Sequence, residues 1–338
     1  MEMRNLGKSG LKVSELCLGT MTFGSKGVFN QIGKVDLKEA SELIGIAFDS
    51  GINFFDTADT YSEGESEIVL GKALGSKRKD SIICTKVRLN AGGKGPNDQG
   101  LSRYHIINGC NDSLKRLNTD YIDIYMVHEF DIHAPLEETL KALDDLVRWG
   151  KVRYIGCSNY TAWQFMKALS ISEKYNLEKF ITYQGYYSLL SRDIEYEIIP
   201  LSLDQGVGIM VWSPLSGGYL TGKFHKESSF PKGTRVGDES QMFLPPVDLE
   251  KAFRIIDKLE EIAKNHDVSI AQAALNFLLK KPAVSTVILG TRKKEQLIDN
   301  IKTVNWDLSK EEMDELDNLS SIPPIYPLWH QISTGSDK

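Results

Sequence analysis

Cysteine is scarce and scattered: Cys17, Cys84, Cys110 and Cys157 are the only four in 338 residues. No two of them form a C-x-x-C pair, and their spacing is far too wide for a disulfide-stapled secreted scaffold. No uncharged apolar run approaches the roughly 18 residues that a membrane span needs. The opening Met1-Glu2-Met3-Arg4-Asn5 has no basic stretch leading into an apolar one, so a secretory leader is not expected and a cytoplasmic protein is. Basic charge is also short. Lys and Arg number 40 against 46 Asp and Glu, a net charge of −6, the wrong sign for a constitutive nucleic-acid binder. Glycine (28) and proline (11) stay at ordinary globular levels, which excludes collagen-like and low-complexity chains. What is plentiful is apolar side chain, 41% of the residues, enough for a sizeable core.

Short β-branched runs alternate with helix-period segments along the chain, the pattern of repeated βα units around a parallel sheet. Strands are predicted at 15–18, 53–56, 82–86, 122–128, 154–157, 181–184, 208–212 and 285–289. Helices are predicted at 37–50, 66–74, 104–117, 136–149, 162–175, 194–205, 249–264 and 293–301. In the fourth helix, Leu136, Leu140, Leu143, Leu146 and Val147 form one apolar face, and Gly150 supplies the stop. Eight strands, each followed by a helix, predict a single α/β domain over 1–338, a (β/α)8 barrel. The first 14 residues, with Lys8-Ser9-Gly10 at a turn, read as a β-hairpin capping the barrel bottom. A Rossmann domain loses its main support, because Gly19-Thr20-Met21-Thr22-Phe23-Gly24 lacks the G-x-G-x-x-G spacing. Residues 91–100 and 216–247 are long loops expected at the C-terminal, active-site face of the barrel. The second has the glycines and Lys223 of a lid that would close over a bound cofactor. A helix at 310–319 and an aromatic, proline-rich tail at 320–338 end the chain.

Polar residues that end apolar strand runs converge at the mouth of a parallel barrel. Here they are Asp56 with Tyr61 shortly after, Lys86, His128, Ser158 with Asn159, Gln184, Trp212 with Ser213, and Gly290-Thr291-Arg292. Singly, a strand-terminal Asp caps a turn and a buried Lys or His is most often structural. Together, Lys lowers a tyrosine pKa, Asp holds the Lys, and His hydrogen-bonds a carbonyl oxygen, a set suited to protonating a developing alkoxide. His128 and His133 miss the H-E-x-x-H spacing by one residue and lie at a strand end, so no metal is predicted.

From Met3 to about Trp329 the chain resembles the aldo-keto reductases. The resemblance rests on Gly51-Ile52-Asn53-Phe54-Phe55-Asp56-Thr57-Ala58-Asp59-Thr60-Tyr61 with Gly64, Ser66 and Glu67 following, on Cys84-Thr85-Lys86, and on Tyr121 to His128. It implies NADPH-dependent reduction of an aldehyde or ketone, with Tyr61 as general acid, Lys86 as its pKa tuner, Asp56 positioning Lys86 and His128 orienting the substrate oxygen. By the same resemblance Ser158, Asn159 and Gln184 hold the nicotinamide carboxamide and Trp212 stacks beneath the ring, where many members have Tyr. Ser213, Pro214, Leu215, Gly217 and Lys223 cross the pyrophosphate; Gly290, Thr291, Arg292, Gln296 and Asn300 meet the adenosine end. The Arg292-Lys293-Lys294 cluster suits a 2′-phosphate and so favours NADP(H) over NAD(H). Met21, Phe23, Phe130, Tyr326 and Trp329 are the candidate pocket residues, apolar or aromatic, for a small-molecule carbonyl. The resemblance favours a monomer. Two other readings stand beside the reductase: a cofactor-sensing subunit with little turnover, since potassium-channel β subunits share the family, and a lyase using Lys86 as a Schiff base.

Overall fold

A computed structural model of the protein describes residues 1–224 and 247–335. Met3–Asn5 (β1) and Lys12–Ser14 (β2) pair antiparallel as the N-terminal hairpin. Eight parallel strands then close a barrel: β3 (Leu16–Gly19), β4 (Phe54–Asp56), β5 (Ile82–Val87), β6 (Ile122–Val127), β7 (Val152–Ser158), β8 (Phe180–Tyr186), β9 (Gly208–Trp212) and β10 (Val284–Gly290). Closure is made by β10 on β3, with Gly290 opposite Gly19. All eight match the strands read from the sequence, and the architecture is the (β/α)8 barrel expected.

The helices are α1 (Leu37–Asp49), α2 (Glu65–Leu74), α3 (Arg103–Leu117), α4 (Leu136–Arg148), α5 (Ala162–Lys174), α6 (Ile198–Gln205), α7 (Leu249–His266), α8 (Ile270–Leu279), α9 (Lys294–Ile301), α10 (Lys310–Ser320) and α11 (Leu328–Thr334). Side chains at their starts define several of them. Asp36 and Glu39 form a reciprocal capping box on α1, and Ser102 and Ser309 cap α3 and α10. One assignment needs correction. The segment taken as the seventh barrel helix, 249–264, is α7, which packs on α8 and α10 instead of on the strands. The helix laid against β10 is α8, which sequence periodicity does not reveal. From Ala271 to Leu279 every residue of α8 is buried, and its polar Gln272 and Asn276 bond inside the fold to Asp299 and the Trp306 carbonyl, so it lacks the charged solvent face that marks a surface helix. The predicted helix at 194–205 is also broken, into a 3-10 turn at Asp193–Glu195 and α6.

Two apolar layers follow from the period-2 alternation of the strands. Outward residues pack under the helices, whereas Cys17, Phe54, Cys84, Ile124, Met126, Met210 and Ile288 fill the barrel interior. Leu6, fully buried, joins that interior from the hairpin and plugs the bottom. The plug requires glycine next to it. Gly7 has φ +62°, and a Cβ there would lie 2.5 Å from the carbonyl oxygen of Gly206.

Candidate functional site

Inward positions that are apolar deep in the barrel become polar at its C-terminal end. Phe54 gives way to Asp56 on β4, Cys84 to Lys86 on β5, and Ile124 and Met126 to His128 just past β6. The resulting cluster is tight. Lys86 Nζ lies 2.7 and 2.8 Å from the two carboxylate oxygens of Asp56, 2.7 Å from the carbonyl oxygen of Thr57 and 3.5 Å from the Tyr61 hydroxyl. Gln184 Nε2 donates to Asp56 Oδ1 at 2.8 Å. The His128 ring stands edge-on to Tyr61 with centroids 5.9 Å apart. All four expected catalytic side chains are therefore brought together.

Burial sets the electrostatics of the cluster. It opposes the charge on Lys86, but Asp56 and then Tyr61 and Cys84 outweigh it, and the ammonium pKa rises. Burial pushes the Tyr61 hydroxyl up, with Lys86 as the largest opposing influence, so lysine moderates the tyrosine without bringing it below its ordinary value of 10.0. The tuning expected from sequence is present, but burial outweighs it. His128 is driven well below 6.5 by burial, then by the charges of Lys86 and Arg88, and its buried Nδ1 has no hydrogen-bond partner among the described residues. At neutral pH the site thus presents a protonated phenol, an ammonium ion and a neutral imidazole, which is equipment for delivering a proton to an oxygen that is gaining charge.

The expected cofactor residues lie around the same mouth. Ser158 ends β7, and exposed Asn159, at φ +55°, donates to the His128 carbonyl at 3.0 Å and to Ser158 Oγ at 2.9 Å. Trp212 ends β9, tilted against Tyr186 with centroids 4.8 Å apart, and its buried indole nitrogen has no hydrogen-bond partner among the described residues. Beyond Pro214 and Leu215, Ser216, Gly217 and Gly218 all take positive φ in a 3-10 turn, pinned by hydrogen bonds from Gly217 N to Ser213 Oγ and between Ser216 and Tyr186. A flat aromatic face and a tight, glycine-bearing backbone fit the ring and pyrophosphate of a nicotinamide dinucleotide. Gly290 ends β10 and Thr291 follows it, where the Thr291 carbonyl accepts from Thr22 and its hydroxyl from Lys293 N; Asn300 is buried on α9 near Gln296. Lys294 turns away to Glu42 at 2.7 Å, and Arg292 and Lys293 lie just before the start of α9. Lys223 lies next to the end of the described part of the loop after β9, which closes with buried Phe224. Residues 225–246, where most of the expected lid falls, lie outside the described residues.

The expected pocket residues separate into three groups. Met21 and Phe130 are half-buried beyond β3 and β6, and Phe130 packs edge-on to Tyr160 at 5.2 Å. Phe23 does not face the mouth: it is fully buried in the core beneath the helices, paired through its backbone with Val35. Tyr326 and Trp329, 72% and 49% exposed, stand against each other on the tail with their rings outside any core cluster. The start of the tail is anchored where Lys251 donates to the Ser320 and Ser321 carbonyls and Tyr196 to the Pro323 carbonyl.

Two side chains at the site escaped sequence reading. Arg88 lies just past the end of β5, where its φ of +141° breaks the strand alternation, and it pairs with Glu129 at 3.1 Å. Phe29, from the 3-10 turn Gly27–Gln31, meets the Tyr61 ring edge-on at 5.5 Å, a contact between loops for which the sequence carries no signal.

The sequence model of the "Aldo/keto reductase family" matches residues 15–321. The chain is 39% identical to a protein of Oryza sativa subsp. japonica named "Probable voltage-gated potassium channel subunit beta", over 90% of this chain and 92% of that one. It is 38% identical to the "Uncharacterized oxidoreductase YrpG" of Bacillus subtilis, over 94% and 96% of the two chains. It is 34% identical to the "Versiconal hemiacetal acetate reductase" of Aspergillus parasiticus, over 97% and 99%.

Proposed function

The chain belongs to the aldo/keto reductase family, and from that premise we propose that it reduces an aldehyde or ketone to an alcohol with NADPH, Tyr61 acting as the proton donor. The observation that carries this reading is the Asp56–Lys86–Tyr61 array: a lysine held by both oxygens of one carboxylate, 3.5 Å from a phenol, at the barrel mouth. When bound, the cofactor supplies the hydride. Ser158, Asn159 and Gln184 would hold its carboxamide, Trp212 its ring face, Ser213 to Gly217 with Lys223 its pyrophosphate, and Arg292, Gln296 and Asn300 its adenosine end. Arg292 and Lys293 support the preference for a 2′-phosphate. Neutral His128 orients the carbonyl oxygen toward Tyr61. Tyr61 gives up its proton as charge grows on that oxygen, and Lys86 stabilises the phenolate left behind. Asp56 keeps Lys86 charged and in place.

The Schiff-base reading fits poorly. A lysine nucleophile needs a lowered pKa, and Lys86 is raised and fully paired. The second reading is a cofactor-sensing subunit, supported by the name of the Oryza sativa relative. The four free, buried cysteines support a cytoplasmic setting for either. Spectroscopic NADPH oxidation against a panel of aldehydes, ketones and sugars separates them. Turnover supports the reductase; tight NADPH binding with no turnover on any of them supports the subunit and overturns the reductase.

A further inference from the structure

The contact between Tyr61 and Lys86 joins two separate segments, the turn after β4 and the end of β5. The turn is an unusual one. Ser62, Glu63 and Gly64 take φ +51°, +54° and +83°, three left-handed residues in a row of which two are not glycine. Such conformations persist only where the surroundings over-determine them.

We propose that Arg116 of α3 is a positioning residue for Tyr61, the last member of a brace that runs from Thr85 through Glu67 to Arg116 and onto this turn. Alternation on β5 points Lys86 into the mouth and Thr85 outward to the helix layer. There Thr85 Oγ1 donates to Glu67 Oε1 at 2.5 Å, and Glu67 Oε2 accepts from Arg116 Nε at 2.6 Å. Glu67 is completely buried. The turn rests directly on the arginine stem: a Cβ on Gly64 would lie 2.6 Å from Arg116 Cδ and 2.8 Å from Nε. One end of the brace is therefore the neighbour of Lys86 and the other lies three residues from Tyr61. Asp59 adds to the picture. Its amide donates to the Lys86 carbonyl at 3.2 Å, and its buried carboxyl is pushed up by burial and then by Glu67, while Arg116 pairs with Glu67. The brace fixes the relative position of proton donor and lysine without touching substrate.

The inference rests on Tyr61 as proton donor, but its test has a readout that does not depend on turnover. Arg116→Lys shortens the reach to Glu67, and Thr85→Val removes the hydroxyl at nearly constant volume, so one variant remains if the other does not fold. Hydrogen exchange of residues 57–65 is compared with that of α4, together with kcat and both KM values. The brace predicts exchange faster by about tenfold in 57–65 with α4 unchanged, the scale of one lost charge-assisted hydrogen bond, and kcat down by about tenfold or more at near-constant KM. Unchanged exchange in 57–65, or an equal increase in α4, overturns it and leaves Arg116 a general stabilising residue. A wild-type protein without turnover on any carbonyl would sink the reductase reading alone, and the exchange comparison would still decide the brace.

Discussion

Gln184 reaches from β8 to donate its Nε2 to Asp56 Oδ1 at 2.8 Å, so the carboxylate that holds Lys86 is itself held by a strand 128 residues further along the chain. The same amide is expected to meet the nicotinamide carboxamide, which ties cofactor binding to the geometry of the proton donor. Gln184→Leu should therefore lower stability by about 1–3 kcal/mol and also weaken NADPH binding, as losing one of the two hydrogen bonds to Asp56 Oδ1 implies, Lys86 being the donor that remains. Denaturant unfolding and fluorescence titration with NADPH measure the two effects; loss of stability without loss of affinity would assign Gln184 to Asp56 alone.

Asp56→Asn leaves the buried ammonium of Lys86 without its counter-charge. Removing one partner of a buried ion pair costs about 3–5 kcal/mol, so the variant should unfold at markedly lower denaturant, with kcat reduced in whatever fraction folds. A wild-type unfolding midpoint would show that Lys86 draws its support from elsewhere.

The pH profile follows from the directions of two shifts. His128 must be neutral, and its pKa is lowered well below 6.5; activity is lost only as pH falls through that lowered value. Tyr61 must be protonated, and its pKa is raised from 10.0; activity is lost only as pH rises through the raised value. The midpoint of the acid limb of kcat for carbonyl reduction should fall below 6.5 and that of the basic limb above 10.0. A limb near neutrality that disappears in His128→Gln would place the imidazole in a less buried, ordinary environment.

Most of the barrel is legible in the sequence because parallel strands alternate strictly and their polar ends stand out after apolar runs, as Asp56, Lys86 and His128 do. What is hidden depends on burial in three dimensions. The α8 helix carries no charged face because all its sides are covered, and Phe23 sits shortly past β3, where a pocket residue and a core residue look alike in sequence. The upward shift of Tyr61 is of the same kind: the neighbouring lysine is visible from the motif, whereas the desolvation that outweighs it is not. Tyr326 and Trp329 err in the opposite direction, since an aromatic run is read as a lining and here most of it stands in solvent.

Cofactor choice is tested at the adenosine end. Arg292→Ala should weaken NADPH by roughly 1.5–3 kcal/mol, the scale of a charge-assisted contact, and leave NADH nearly unchanged. Lys294, already paired with Glu42, should contribute little when replaced by Ala. Equal losses for NADPH and NADH in the Arg292 variant would mean that it does not read the 2′-phosphate.

The most direct measurement is single-turnover reduction of a carbonyl substrate by Tyr61→Phe preloaded with NADPH, set beside the wild-type protein. The substitution removes one hydroxyl, so NADPH affinity should persist while the rate of the chemical step falls by about 10²–10⁴, the usual contribution of a positioned general acid. A variant that binds NADPH and reduces the substrate at nearly the wild-type rate would contradict the assignment of Tyr61 as proton donor.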